Sequence, residues 1–191
     1  MFNTNLDLQI TQVLRLQNNS SNAKQKTLES WERTANQWSQ VFSPIEVVIG
    51  TNGLIAPENK QEGDRCTPEG SYSLNRAFGY FPINTKMNYY QLTDNDCWID
   101  DPSSPDYNQF VTKPPLSISH EKMRRSDDLY KLGIVIEYNT APAVPGRGSA
   151  IFIHIWRGPD SSTAGCVAMA EENIKKLLDW LDPAKSPIIL L

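Results

Sequence analysis

Hydrophobic residues follow two different spacings in the first 44 residues, and each spacing predicts a different element. In residues 12–17, Leu14 and Leu16 alternate with the intervening side chains, as in a half-buried strand. In residues 23–42, apolar side chains recur every three or four positions, which predicts an amphipathic helix that Pro44 ends. The apolar stripe of this helix consists of Leu28, Trp31, Ala35, Trp38 and Phe42. We therefore expect an N-terminal strand with a helix packed on it.

Strand signals dominate the remainder of the chain. Runs of β-branched and aromatic residues at 131–139 and 149–156 predict two central strands, and "IEVVIGTNG" predicts a buried strand that runs into a turn at Asn52-Gly53. Residues 84–115 are rich in Pro, Ser, Asp, Asn and Tyr, which predicts a long irregular connection with short strands. After Glu171 and Glu172, apolar residues return on one helical face until Pro183, so a C-terminal helix is predicted there.

The composition is that of an ordinary soluble domain. The chain has 191 residues, of which 39% are hydrophobic and 21% charged, with a formal net charge of −4. Apart from Arg124-Arg125 there is no basic cluster, which argues against nucleic acid or an anionic membrane as the main partner. No apolar run is long enough to span a bilayer, and "MFNTNLDLQI" lacks the features of a secretory signal. We expect either a cytosolic chain or a mature or trimmed one.

Three cysteines limit the disulfide chemistry. Cys66, Cys97 and Cys166 allow at most one internal disulfide and leave one thiol over. A Cys66–Cys97 disulfide and two separate thiols are both compatible with the sequence, because spacing does not reveal geometry.

The stretch "IFIHIWRGPDSSTAGCVAM" contains the best candidates for chemistry. In a strand, its three isoleucines point to one face, while Phe152, His154 and Trp156 point to the other. This places His154 on a sheltered aromatic face, where an imidazole can be tuned. The alternative is a strand histidine that only lies near a buried thiol.

Cys166 follows Gly165, and a glycine at this point lets the backbone turn and present N–H groups to a bound carbonyl. A neighbouring imidazole is the usual means of removing the proton from a nucleophilic thiol. Spacing alone favours a buried structural cysteine over a catalytic one. The sequence has neither a CxxC pair nor HExxH, so no metal site is predicted, and His120, in the charged run "SHEKMRRSDD", is expected at the surface without a role.

Several separated motifs resemble one family when taken in order. They are "EGDRCTPEGSYSL", "AFGY", "IDDPSSPDYN", "LGIVIEYN", "GSAIFIHIW" and "TAGCVAM", and their order is similar to that of YkuD-type L,D-transpeptidases, in the branch with an HxW strand and a TAGC turn. The resemblance implies a mainly β fold with a few helices (α+β). It would be a curved sheet or β-sandwich with an N-terminal and a C-terminal helix, forming one catalytic domain over residues 1–191 without a cofactor.

The resemblance also implies a mechanism on peptidoglycan stem peptides. Cys166 would attack the amide between a meso-diaminopimelate-type residue and the terminal D-alanine of a donor tetrapeptide, giving a thioester. His154 would be the base, and the backbone N–H groups of Gly165 and Cys166 would form the oxyanion hole. An amine acceptor gives a cross-link or a protein attachment, whereas water gives L,D-carboxypeptidase action.

The chain departs from the commoner family pattern at several positions, among them Ile155, where that pattern has the glycine of His-Gly. That pattern has Ser-His-Gly-Cys followed two residues later by Arg, whereas this chain has Thr163-Ala164-Gly165-Cys166 and then Ala168. One histidine and one arginine are therefore replaced, which leaves open both the choice of acceptor and the recognition of the substrate carboxylate.

Three further residues are candidates for the substrate-binding wall, and each has a structural alternative. Trp156 lies beside the base or packs at the rim, Asp101 binds substrate or forms a turn before Pro102, and Tyr107 binds substrate or anchors the long loop.

Two other functions remain compatible with the sequence. One is a non-catalytic peptidoglycan-binding module with a degenerate site, and the other is an antibacterial toxin that trims stem peptides. For the enzyme, the resemblance implies a place in the bacterial periplasm or cell envelope, with the signal segment removed or trimmed, and reaction with carbapenems. No protein partner is predicted.

Overall fold

The computed structural model describes residues 6–17, 24–114 and 116–191, which fold mainly as β-structure. In chain order the strands are β1 Gln12–Gln17, β2 Gln25–Thr34, β3 Gln37–Gln40, β4 Ile45–Val48, β5 Leu54–Ile55, β6 Thr67–Pro68, β7 Ser71–Ser73, β8 Arg76–Gly79, β9 Asn88–Gln91, β10 Asp96–Ile99, β11 Phe110–Thr112, β12 His120–Lys122, β13 Leu132–Val135, β14 Phe152–Ile155, β15 Val167–Met169 and β16 Ile188–Leu190. The helix α1 spans Glu171–Trp180, with 3-10 turns at Pro57–Asn59 and Pro183–Lys185. The predicted mainly β fold is confirmed.

One curved sheet organises the molecule. Its strand order is β7-β16-β1-β2-β4-β15-β14-β13-β8-β9, with β3 paired to β2. The middle of the sheet holds β14, which runs parallel to β15 and antiparallel to β13. A smaller sheet has the order β11-β10-β12, and β5 pairs with β6. The strands predicted at 131–139 and 149–156 are therefore present and central.

Neighbouring residues of β14 pack into two different cores. Ile153 lies in an aliphatic core that α1 covers with Ile174, Leu177 and Leu178. Phe152 points the other way, into an aromatic core where its ring centroid lies 4.9 Å from that of Trp98. Each such side chain contributes about 1.5–3 kcal/mol when fully buried. Because a shift of one residue would exchange the two faces, these cores determine the side on which His154 lies.

Asn108 attaches the long connection to the central sheet. Its side-chain Oδ1 accepts hydrogen bonds from Trp98 Nε1 at 2.8 Å and from the Ala150 amide at 3.0 Å. Its Nδ2 donates to the carbonyls of Tyr138 and Asn139 at 3.1 and 2.7 Å. The predicted connection at 84–115 does carry short strands, β9, β10 and β11, and Asn108 holds it against the segment that enters β14.

The helix predicted at residues 23–42 is wrong. Its first residue lies outside the described ranges, and the rest forms β2 and β3, joined by a tight turn in which Ala35 and Asn36 have φ values of 49° and 64°. Trp31 and Trp38 meet on one side of this hairpin, while Leu28 is buried on the other. Pairing of β2 with both β1 and β4 outweighs the local helical spacing.

Candidate active site

Two adjacent parallel strands bring His154 and Cys166 to one cavity. His154 is paired across the sheet with Ala168 of β15, and Cys166 immediately precedes that strand. Both side chains line a cavity of about 300 Å³. The other lining residues are Lys60, Glu62, Gly63, Asp100, Glu121, Arg125, Leu129, Tyr130, Ser149, Ala150, Ile151, Arg157, Ser162, Thr163, Ala164 and Gly165. The topology of the sheet therefore brings the thiol and the imidazole to the same cavity.

The Cys166 thiol is buried and bound to the backbone of the neighbouring strand segment. Its Sγ donates to the carbonyl of Ala150 at 3.2 Å and accepts the amide of Phe152 at 3.4 Å. The residue is only 7% exposed, and this burial raises the pKa of the thiol to about 12, with the charge of Glu121 adding to the effect. Cys166 is consequently a neutral thiol at physiological pH.

The turn before Cys166 is held by two threonine hydroxyl groups. Thr163 Oγ1 donates to the Cys166 carbonyl at 2.6 Å and accepts the Gly165 amide at 3.1 Å, while Thr67 Oγ1 donates to the Gly165 carbonyl at 2.8 Å. Gly165 has a φ of +144°, and a Cβ atom there would lie 2.9 Å from the carbonyl oxygen of Cys66. Only glycine fits this position without distortion. The Gly165 amide, one of the two predicted oxyanion donors, thus already has a partner in Thr163 Oγ1.

His154 is buried beside an aromatic ring and fixed by its own backbone. Its Nδ1 donates to the carbonyl of Ile155 at 2.8 Å, because a carbonyl can only accept, and this leaves the lone pair on Nε2. The ring lies edge-to-face with Tyr130, at a centroid distance of 5.3 Å. Burial lowers the pKa of His154 to about 4. The site therefore rests as a neutral thiol and a neutral imidazole, and not as a thiolate–imidazolium pair.

Guanidinium groups reach the cavity from segments outside the nucleophile turn. Arg125 makes two hydrogen bonds to Asp127, both of 2.8 Å, and Arg157 Nη2 lies 2.7 Å from the same carboxylate. The hydrogen bonds from Arg125 lower the pKa of Asp127 far below its usual range. The residue at the family's arginine position, Ala168, is 1% exposed within β15. Positive charge is thus present in the cavity, although it comes from other elements.

Tyr130 and Glu121 form a hydrogen-bonded pair that the sequence reasoning missed. The phenol of Tyr130 donates to Glu121 Oε2 at 2.6 Å, and the Arg125 guanidinium lies 5.0 Å from the centre of the Tyr130 ring. Burial raises the pKa of Glu121. The charged run "SHEKMRRSDD" was the available signal, since Glu121 and Arg125 belong to it. The sequence does not show which residues of this run are exposed and which face inward, because the pairing of β12 with β10 decides this.

The three predicted wall residues lie in different places. Trp156 is half-buried and lines two other surface cavities that contain Glu46. Asp101 accepts hydrogen bonds from the amide and hydroxyl of Ser103 at 2.9 and 2.7 Å, as a turn residue does. Tyr107 is 2% exposed, and its hydroxyl donates to Glu62 Oε2 at 2.5 Å. None of the three lines the cavity of Cys166, and Tyr107 reaches it only through Glu62.

The remaining histidine and the other two cysteines do not line the cavity of Cys166. His120 lies in β12 and its Nδ1 donates to the carbonyl of Ile118 at 2.7 Å. Cys66 and Cys97 are buried free thiols, so of the two alternatives left by the sequence the structure has separate thiols.

Among the described residues, no three His, Cys, Asp or Glu side chains are grouped to hold a metal ion. Within the same ranges, none of the helices has the length and apolar character needed to span a membrane.

The sequence model of the YkuD family, the L,D-transpeptidase catalytic domain, matches residues 20–190. The chain belongs to this family. Comparison with curated proteins gives no significant match.

Two solved structures are similar to this chain. Bd1075 of Bdellovibrio bacteriovorus is 19% identical, with a TM-score of 0.49 over 95% of this chain and 48% of that one. The helical cell shape determining protein Pgp2 of Campylobacter jejuni is 16% identical, with a TM-score of 0.46 over 94% of this chain and 46% of that one. The chain thus spans about half the length of either solved structure.

Proposed function

We propose that this chain is a thiol-dependent acyltransferase that acts on peptidoglycan stem peptides in the bacterial cell envelope. The observation that carries the proposal is the joint placement of Cys166 and His154 in one cavity by β14 and β15. Membership of the L,D-transpeptidase catalytic-domain family supports the substrate class. An envelope location follows from that substrate, and fractionation of a producing bacterium would test it.

The first half-reaction begins with two neutral groups. Sγ of Cys166 attacks the carbonyl carbon of the scissile amide while its proton passes to Nε2 of His154. The tetrahedral intermediate then collapses: the carbon–nitrogen bond breaks, the imidazolium returns the proton to the leaving amine, and a thioester remains. Because the thiol is held by the Ala150 carbonyl, substrate binding has to redirect the S–H bond toward His154.

The second half-reaction releases the enzyme. An amine or water attacks the thioester carbonyl, gives a proton to His154, and the Cys166 thiolate leaves and takes that proton back. Developing negative charge on the carbonyl oxygen is stabilised by the amide of Cys166. The same residues serve both acceptors, so the nucleophile and the base do not by themselves select between cross-linking and hydrolysis.

The guanidinium groups give a means of recognising the terminal carboxylate of the donor peptide. Arg157 lies at the cavity rim with 61% of its side chain exposed, and it shares Asp127 with Arg125. A planar guanidinium binds a carboxylate through two parallel hydrogen bonds. We propose that Arg157 takes over the function of the arginine that Ala168 replaces.

The experiment is incubation of the purified protein with disaccharide-tetrapeptide, followed by mass spectrometry. Transpeptidation gives a cross-linked dimer with loss of D-alanine, and hydrolysis gives the tripeptide form with free D-alanine. Either product has to disappear in Cys166→Ala. Absence of both products, with Cys166→Ala indistinguishable from the wild type, would refute the enzyme.

A non-catalytic peptidoglycan-binding module is the second candidate. It is favoured by the buried thiol, whose pKa is about 12 and whose S–H bond is directed to the carbonyl of Ala150. This candidate predicts that a carbapenem leaves Cys166 unmodified near neutral pH. The enzyme predicts acylation of Cys166 by the carbapenem that tetrapeptide slows, read by intact mass and peptide mapping.

A further inference from the structure

Thr67 supports the nucleophile turn from the interior of the protein, and the acyl-transfer steps give it no role. It is the first residue of β6 and lies 98 positions before Gly165 in the chain. Thr67 is completely buried and does not line the cavity of Cys166, whereas Gly165 and Cys166 both do. The side chain therefore contacts the turn on the side away from the cavity.

The hydrogen bonds of the Thr67 hydroxyl group fix the direction of its proton. Oγ1 accepts the amide of Gly50 at 2.9 Å, so its own proton is available to a second partner. The carbonyl oxygen of Gly165 lies 2.8 Å away and that of Cys166 lies 3.5 Å away. The Cys166 carbonyl already accepts the Thr163 hydroxyl at 2.6 Å. The Thr67 proton is therefore donated to the carbonyl of Gly165.

The backbone around Thr67 is packed too closely for the hydroxyl group to move. A Cβ atom on Gly50 would lie 2.5 Å from the carbonyl oxygen of Arg65 and 2.9 Å from the amide nitrogen of Thr67. The Thr67 amide donates to the carbonyl of Gly53 at 2.9 Å, and Gly50 forms a β-bridge with Thr163 of the nucleophile turn. Thr67 Oγ1 consequently has a fixed position relative to that turn.

The Gly165 carbonyl that Thr67 binds and the amide N–H of Cys166 belong to one peptide group. This peptide is trans, and in a planar trans peptide the C=O and the N–H point in opposite directions. Because the carbonyl points to Thr67 on the interior side, the N–H of Cys166 points to the side of the cavity. It is this N–H that the acyl-transfer mechanism uses to stabilise the oxyanion.

We propose that Thr67 is a positioning residue that sets the direction of the Cys166 amide and so prepares the oxyanion donor of the site. Its effect on catalysis rests on the proposed function, whereas its effect on the peptide rests on the hydrogen bonds alone.

Gly165 is the reason that the turn needs such a residue. A glycine has no Cβ atom to restrict rotation of the peptide that follows it, and Gly165 has a φ of +144°. Without the Thr67 hydroxyl group the buried Gly165 carbonyl loses its donor, and rotation of the peptide toward the cavity relieves this loss. A carbonyl oxygen that faces the cavity repels the developing oxyanion instead of stabilising it.

The test compares Thr67→Val with Thr67→Ser in steady-state kinetics on disaccharide-tetrapeptide. Valine keeps the shape of the side chain without the hydroxyl group, and serine keeps the hydroxyl group without the methyl group. Since loss of a whole oxyanion donor lowers kcat by about 10²–10³-fold, we expect Thr67→Val to lower it by about 10–100-fold. KM should change by less than about twofold, and Thr67→Ser should restore kcat to within about fivefold of the wild type.

Two further measurements separate positioning from damage to the cavity. When Thr67→Val is added to Cys166→Ala, the Kd for tetrapeptide measured by calorimetry should not change, because ground-state binding does not need the oxyanion donor. Crystal structures of the wild type and of Thr67→Val show the direction of the Gly165 carbonyl, which should turn toward the cavity in the variant.

Thr85→Val is the matched control. It removes a half-buried threonine hydroxyl group that donates to the carbonyl of Leu178 at 2.7 Å, outside the cavity of Cys166. It should lose stability in the same way but keep the kcat of the wild type. Circular dichroism and the unfolding temperature show whether each variant is folded, and Thr67→Ala replaces Thr67→Val if the latter does not fold.

Four results would overturn the role of Thr67. They are a fall in kcat of less than tenfold in the folded Thr67→Val variant, a Thr67→Ser variant that is no more active, an equal loss of kcat in Thr85→Val, and a Kd that rises in parallel with the loss of kcat. Failure of the proposed function has a different signature, because the wild type then gives no product from tetrapeptide. The crystal structures decide in that case, since an unchanged direction of the Gly165 carbonyl in Thr67→Val would show that Thr67 does not orient this peptide.

Discussion

The two walls of the cavity differ in how their side chains are held. The nucleophile wall, which consists of Cys166, His154 and the Thr163–Gly165 turn, makes its hydrogen bonds mainly to backbone groups, and its titrating residues are neutral. The charged wall, which consists of Glu121, Arg125, Tyr130 and Arg157, is held by contacts between side chains. Hydrogen bonds to the backbone fix the positions of the atoms that must approach a reacting carbonyl. Pairs of side chains, in contrast, can separate so that one member binds the substrate. Substitutions in the first wall should therefore change kcat, and those in the second should change KM.

Removal of the nucleophile should have the largest effect. Cys166→Ala leaves no group in the nucleophile wall that can form a thioester, so no cross-linked or hydrolysed product should form. The product assay on disaccharide-tetrapeptide measures this. Cys97→Ala, which changes another buried thiol outside the cavity, should retain activity. Turnover by Cys166→Ala would remove the basis for assigning chemistry to this wall.

Replacement of the base should be nearly as severe. His154→Gln keeps a side chain of similar length but cannot accept the thiol proton and return it. We expect kcat to fall by about 10²–10⁴-fold with KM little changed. Steady-state kinetics on the tetrapeptide would show this, and a kcat within twofold of the wild type would contradict the assignment.

The neutral state of His154 predicts how stability depends on pH. Its pKa in the folded state is about 4, against 6.5 without burial, so the unfolded chain binds more protons between these two values. Stability from this group is therefore fully present above pH 6.5 and is lost as the pH falls toward 4, by about 3 kcal/mol. Urea unfolding of the wild type and of His154→Gln across this range tests it. The variant should have a flatter profile, and parallel profiles would mean that His154 is not buried in its neutral form.

A methyl group at the turn should disturb the nucleophile wall alone. Gly165→Ala places a Cβ atom 2.9 Å from the Cys66 carbonyl oxygen at a φ of +144°, and such strain costs about 1–3 kcal/mol. Denaturant unfolding gives the loss of stability. At the half-buried Gly146, where a Cβ would meet no atom within 4 Å but φ is also positive, the alanine variant controls for backbone strain without the contact. Equal losses at both positions would show that the close approach to Cys66 is unimportant.

The exposed end of the charged wall should have the smallest effect on stability. Arg157→Gln breaks an ion pair whose arginine side chain is 61% exposed, so the free energy of unfolding should change by less than about 1 kcal/mol. KM for a tetrapeptide with a free terminal carboxylate should nevertheless rise severalfold, and KM for its terminal amide should not change. If KM rises equally for both peptides, Arg157 does not bind that carboxylate.

Strand alternation together with the family resemblance led to the residues of the nucleophile wall, whereas no local pattern led to those of the charged wall. The alternation in "IFIHIW" correctly assigned Ile153 and His154 to opposite faces, because both residues lie in β14, which is buried on both faces. Glu121 and Arg125 reach the cavity through the pairing of β12 with β10 and through the Tyr130 contacts, which join distant segments and leave no periodic signal. The mistaken helix at 23–42 has a similar cause, since the turn at Ala35-Asn36 lacks glycine and the two tryptophans happen to fall at helical spacing.

The most direct test of the account is covalent trapping of the nucleophile. The protein is incubated with a carbapenem near neutral pH, and its intact mass and peptide map are recorded over time. The account predicts one adduct per chain, located on Cys166, absent from Cys166→Ala and formed much more slowly by His154→Gln. A wild-type protein that remains unmodified, and that also forms no thioester with tetrapeptide, would contradict the claim that Cys166 and His154 form an acyl-transfer site.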